Sequence, residues 1–136
     1  MTLDINRCLY CYKEIPNAGH DFHAACSRKF FGKPEPPEIE FSAQQLQELA
    51  ERFVRTQEAV GGVQPKLSLS TKNRRGDVHG HERLTVVGLN GDFILKPQNE
   101  LYPYLPEVED LTMHLAEVAS VPVVPHSLVR LASGEL

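Results

Sequence analysis

Hydrophobic residues recur at three- and four-residue steps in two stretches of the chain and alternate with polar residues in a third; these periods predict its elements. Leu46, Leu49, Ala50, Phe53 and Val54 form one stripe, while Gln44, Gln47, Glu48, Glu51, Arg52 and Arg55 cover the remaining surface, as in an amphipathic helix. Ser42 begins that helix, with Gln45 in the capping-box position, and the Gly61-Gly62 pair is expected to end it just after Ala59 or Val60. Beyond Pro65 the period drops to two: Leu67 and Leu69 alternate with Ser68 and Ser70, which predicts a half-buried strand. Thr71 to Glu82 is polar and reads as a loop. Leu84–Leu89 and Asp92–Lys96 then flank Asn90-Gly91, a strong hairpin signal because both turn residues tolerate positive φ. Glu107 to Ser120 reads as a second helix with Val108, Leu111, Leu115 and Val118 on one face; Glu107, Glu109 and Asp110 suit the dipole of its first turn. Val121 to Leu131, carrying Pro122 and Pro125, is expected to be an edge strand. The fold class is α+β, with an antiparallel sheet of about 4–5 strands and two main helices.

The first residues follow a different logic. Cys8 and Cys11 form a C-x2-C pair, and His23 and Cys26 an H-x2-C pair across a loop. Two short chelating pairs are an economical way to supply zinc with a tetrahedral set of thiolates and imidazole. His20 competes for the fourth position, but His23 is one helical turn before Cys26 and shares its face. The stretch has too few apolar residues to fold without a staple, and a structural zinc site supplies on the order of 10 kcal/mol. With Cys8, Cys11, His23 and Cys26 as ligands the site is closed, so the Zn2+ is expected to be structural. Ala24 to Phe31 reads as a short helix stopped by Gly32, with Phe30 and Phe31 packing it down. The domain expectation is a Cys3His zinc-knuckle-like module over residues 1–33, a proline-rich linker over 34–41, and the remaining domain over 42–136.

Composition narrows the possibilities. The 136 residues are 41% hydrophobic and 24% charged, with a formal charge of −4 and a pI near 5.8. That balance argues against direct nucleic-acid binding, which calls for a basic surface. No apolar run is long enough for a membrane span, and the opening residues lack the pattern of a signal peptide, so a cytoplasmic location is expected. All three cysteines lie in the first twenty-six residues, a clustering that suggests metal rather than disulfides. His79 and His81 lie in the polar loop, where a solvated loop is favoured over a second metal site.

Two features stay open on local sequence alone. Gly61-Gly62 is either a flexible connection or a turn against which a phosphate could lie. Lys96 ends an apolar strand and is either an edge lysine snorkelling to water or a positioned cation.

The order glycine turn, strand, hairpin, strand-end lysine, helix with an early glutamate and strand is similar to the amino-terminal lobe of a protein-kinase-like fold. Gly62-Val63-Gln64-Pro65-Lys66-Leu67-Ser68-Leu69, Gly91-Asp92-Phe93-Ile94-Leu95-Lys96-Pro97 and Leu105-Pro106-Glu107-Val108-Glu109, with Thr112-Met113 and Leu115-Ala116, resemble motifs of the HipA family of bacterial serine/threonine kinases, the toxins of toxin–antitoxin systems. The resemblance covers roughly Val60 to Leu136, and the opening module looks like the knuckle that some HipA-like proteins carry. It implies that Gly61, Gly62, Val63, Gln64 and Lys66 contribute to the phosphate-covering loop, that Lys96 is the ATP-phosphate lysine, and that Glu109 is its partner. Ala59, Val60 and Gly61 stand where relatives often carry autophosphorylated serines, so that switch is not expected here. The sequence contains no catalytic-loop aspartate with a following asparagine and no later metal-binding aspartate motif, so the chain is expected to be inactive alone. The resemblance thus implies a lobe acting with a separately encoded or missing catalytic lobe, with ATP and Mg2+ bound only in that complex. The expected partners are the catalytic lobe of a HipA-like kinase, a HipB-like antitoxin, or both. The alternative is a non-catalytic, antitoxin-like protein that docks on such a kinase and inhibits it.

Overall fold

A computed structural model describes residues 6–56, 66–73, 82–86 and 91–136. The elements in chain order are α1 (Ala24–Phe31), α2 (Ala43–Thr56), β1 (Leu67–Asn73), β2 (Glu82–Val86), β3 (Phe93–Leu95) and α3 (Leu105–Val118). The chain forms two compact units. One comprises Met1–Pro36 and Glu107–Arg130, the other Pro37–Pro106 and Leu131–Leu136.

In the second unit, α2 starts as its sequence requires. The Ser42 backbone N–H donates to Gln45 Oε1 at 2.9 Å, and the Gln45 N–H donates to Ser42 Oγ at 3.2 Å, the reciprocal bonds of a capping box. Leu46 and Ala50 of α2 are buried, as are Ile39, Leu67, Leu69, Leu84 and Leu131 of the same unit. Ala59 and Val60, where α2 is expected to end, and the glycine pair expected to stop it lie outside the described residues.

The sheet among the described residues has three strands, fewer than the 4–5 expected, in the order β2-β1-β3. Both neighbours are antiparallel to β1, with Leu69 opposite Val86 on one side and opposite Phe93 on the other. The expected hairpin between β2 and β3 is therefore not formed: β1 stands between them. Gly91 shows what its glycine is needed for. Its N–H donates to Ser68 Oγ at 2.7 Å, and a Cβ there would stand 2.4 Å from the Leu69 carbonyl oxygen. Close approach to β1 is the requirement at this position. β1 also runs on through Thr71 to Asn73, paired with Glu82 to Leu84, so both ends of the expected loop belong to strands.

In the first unit, α1 spans the expected residues and ends at Gly32, whose φ of 84° is left-handed. Phe30 and Phe31 meet edge-on at 4.8 Å, and they contact Tyr10 at 5.8 Å and Phe22 at 5.5 Å respectively. Ser27 is fully buried and donates to the Lys33 carbonyl at 2.7 Å. Val121 to Leu131 is not a strand. Part of its hydrogen bonding goes to the knuckle: Leu128 N–H and Ser127 Oγ both donate to the Leu9 carbonyl, and Arg130 Nε donates to both Asp21 oxygens at 3.0 and 3.1 Å. Among the described residues no helix is long and apolar enough to cross a membrane.

Gly91→Ala should lower the stability of the chain by about 1–3 kcal/mol, the cost of overpacking against backbone. The urea midpoint should fall with an unchanged slope; an unchanged midpoint would contradict the close approach.

Candidate metal centre

The turn between the two ligand pairs is built from backbone hydrogen bonds. Cys8 N–H donates to the Lys13 carbonyl, Tyr12 N–H to the Cys8 carbonyl and Leu9 N–H to the Asp21 carbonyl, each at 2.9 Å. Tyr12 holds a left-handed φ of 61°, uncommon for a residue with a side chain. Leu9, Ile15 and Phe22 are buried around the turn, and Cys8 is fully buried.

This frame brings Cys8, Cys11, His23 and Cys26 together, with one donor atom from each within 4.8 Å of the others. His23 Nδ1 lies 3.5 Å from Cys11 Sγ and 3.7 Å from Cys26 Sγ. His23 Nε2 is 3.0 Å from the Glu14 carbonyl; a carbonyl only accepts, so Nε2 carries the proton and Nδ1 turns its lone pair to the sulfurs. A backbone acceptor behind a ligating imidazole is a common supporting contact in metal sites. His20 is outside the set.

The thiols behave as a cluster that wants a cation. Burial pushes Cys8 up, but the backbone amides of His23, Cys11 and Tyr10 and the Cys11 side chain outweigh it and hold the thiol at about 7. Burial, the Cys11 and Cys8 side chains and their charges push Cys26 up to about 12. Several thiolates crowded together repel one another, and a divalent metal relieves that repulsion. The group can hold a metal ion, and four protein ligands without an open position make a structural site.

A second set of polar side chains lies in the same unit. Asp110 on α3 is only 4% exposed; it accepts a hydrogen bond from the Tyr12 hydroxyl and one of 2.7 Å from His126 Nδ1. Burial and the carboxylates of Asp110 and Glu107 push the Tyr12 phenol well above its ordinary value, so it remains a donor. The His114 ring packs against the Tyr12 ring at a tilt of 50°, with centres 4.4 Å apart. The expected apolar face of α3, by contrast, is exposed at Val108, Leu111, Leu115 and Val118. In the sequence Asp110 reads as a helix-dipole residue, and nothing local singles out His126. The available signal was the helical spacing of Asp110 and His114, an i,i+4 pair.

The residues expected to contact ATP are divided between the units. Lys66 precedes β1 and is exposed, Lys96 follows β3 and is half-buried, and Glu109 is half-buried on α3. Lys66 and Lys96 belong to the second unit and Glu109 to the first. Gly61, Gly62, Val63 and Gln64 lie outside the described residues, as do His79 and His81. The second unit also has an open recess of 320 Å³, lined in part by Ala43, Gln47, Pro97, Gln98, Tyr104 and Leu131.

Over 99 residues the chain is 32% identical to a protein of Haemophilus influenzae described as "Putative kinase", a match covering 73% of this chain and 26% of that protein. The chain thus spans about a quarter of the length of the curated relative it matches. No family model matches the chain.

Metal bound through thiolates should be lost in Cys8→Ser and in His23→Ala but kept in His20→Ala, as read by the thiolate charge-transfer band of the cobalt-substituted protein. Because Cys26 holds its proton up to about 12, metal entry at neutral pH displaces protons, so affinity should fall as the pH falls from ~8 to ~6. Chelator competition measures this, and a flat profile would contradict it. Tyr12→Phe should cost about 1–3 kcal/mol, because the buried Asp110 carboxylate loses a donor; equilibrium unfolding reads the loss.

Proposed function

We propose that the chain is the amino-terminal lobe of a HipA-like serine/threonine kinase, supplying the glycine turn and the ATP lysine to a separately encoded or missing catalytic lobe. The similarity to a putative kinase supports the kinase class. The observation that carries the finer reading is the register of β1 and β3: Leu67 stands opposite Leu95, so the next positions outward are Lys66 and Lys96. The strand that leaves the glycine segment and the strand that ends in the lysine are hydrogen-bonded neighbours.

Triphosphate charge needs backbone amides and a positioned cation. In this reading the amides of Gly61 to Gln64 cover the phosphates, Lys66 adds charge at the edge of the loop, and Lys96 pairs with the phosphate oxygens. Glu109 holds the Lys96 ammonium in place. The base that takes the substrate proton and the ligands for Mg2+ come from the catalytic lobe. The Cys3His knuckle binds Zn2+ as a structural ion, and the cellular setting is that of a toxin–antitoxin pair in the cytoplasm.

Mixing the full chain with the product of the neighbouring gene tests the reading. ATP-dependent phosphorylation should arise only in the mixture, and Lys96→Ala should reduce it by about a hundredfold or more. A kinase activity already present in the partner and suppressed by the chain would contradict the complementing lobe and favour an antitoxin-like inhibitor.

A further inference from the structure

Apart from the cysteine knuckle, the described residues hold one other group that could ligate metal: Asp110, His114 and His126, with one donor atom from each within 4.8 Å of the others. Asp110 and His126 are buried and His114 is mostly so. His114 Nε2 lies 3.5 Å from Asp110 Oδ2, close to the spacing of about 3.3 Å between neighbouring ligands around tetrahedral zinc, given Zn–N distances of about 2.0–2.1 Å. That nitrogen is buried and has no hydrogen-bond partner among the described residues, and buried polar atoms are rarely left so.

The surroundings match a ligand set more closely than a plain hydrogen-bond cluster. Glu117 lies behind both rings, with Oε2 3.4 Å from His114 Nδ1 and Oε1 3.6 Å from His126 Nε2. Each histidine thus has one nitrogen toward Asp110 and the other toward a carboxylate, the outer arrangement that orients ligating imidazoles and fixes their tautomers. The Tyr12 hydroxyl donates to the Asp110 carboxylate and so steadies the third ligand. The rings of His114 and His126 meet edge-on with centres 4.6 Å apart.

We infer that Asp110, His114 and His126 form a second metal site, binding a divalent first-row transition ion of the zinc type through Asp110 carboxylate oxygen, His114 Nε2 and His126 Nδ1. Imidazole with carboxylate suits such ions. Three protein ligands leave a position for water or another small ligand. On binding, the metal replaces the proton that His126 Nδ1 shares with Asp110 Oδ1 at 2.7 Å. The site shares no ligand with the cysteine knuckle and does not depend on the chain being a kinase lobe.

Titration of the metal-stripped full chain with Co2+ separates the two sites, because only the knuckle gives a thiolate charge-transfer band. The expected result is a band complete at about one equivalent, followed by weaker d–d absorption that grows to about two. His114→Ala should abolish the second phase and leave the thiolate band unchanged, which also shows that the knuckle still folds. Glu117→Gln should weaken the second phase by about tenfold. If the wild-type chain takes up no metal beyond the thiolate phase, or if His114→Ala still takes up about two equivalents, the group is a hydrogen-bonded cluster and the inference is overturned. Should His114→Ala lose both phases, the wild-type titration alone decides.

Discussion

The first unit depends on bringing three thiols and one imidazole to a point. Cys8, Cys11, His23 and Cys26 come from two pairs separated by a loop, with Leu9, Ile15 and Phe22 buried around the turn that carries them. Like-charged sulfurs at such distances oppose one another unless a cation lies between them. Once they are gathered, Leu9 presents its carbonyl to Ser127 and Leu128, Asp21 holds Arg130, and Tyr12 reaches Asp110. Residues about a hundred positions apart in sequence are joined through the frame of the knuckle.

That arrangement turns α3 around. An amphipathic helix ordinarily buries its apolar stripe, yet in this unit the buried residue is Asp110, while Val108, Leu111, Leu115 and Val118 are exposed. The donors from Tyr12 and His126 make burial of the carboxylate tolerable. The polar face of α3 serves the knuckle.

Much of this was legible in the sequence where a local rule governs. The capping box of Ser42 and Gln45, the stop at Gly32 and the alternating Leu67 and Leu69 each rest on contacts within a few residues. What escaped was long-range. Asn90-Gly91 reads as a hairpin until Ser68 and Leu69 of β1 claim Gly91. Val121 to Leu131 reads as a strand until its donors find Leu9 and Asp21. Asp110, His114 and His126 carry no recognisable spacing as a set, because Tyr12 and the path of the chain after α3 create their meeting place. Local periodicity reports which face is apolar and is silent on what covers it.

If the cysteine–histidine centre organises α1, α3 and the segment after it as one cooperative unit, amide hydrogen exchange on the full chain, comparing the wild type with Cys26→Ser, reads it most directly. Protection should fall together in Ala24–Phe31, in 107–118 and in 121–130, while β1 and β3 keep theirs. Unchanged protection in 107–118 after loss of the thiolate ligand would mean that the centre does not organise α3.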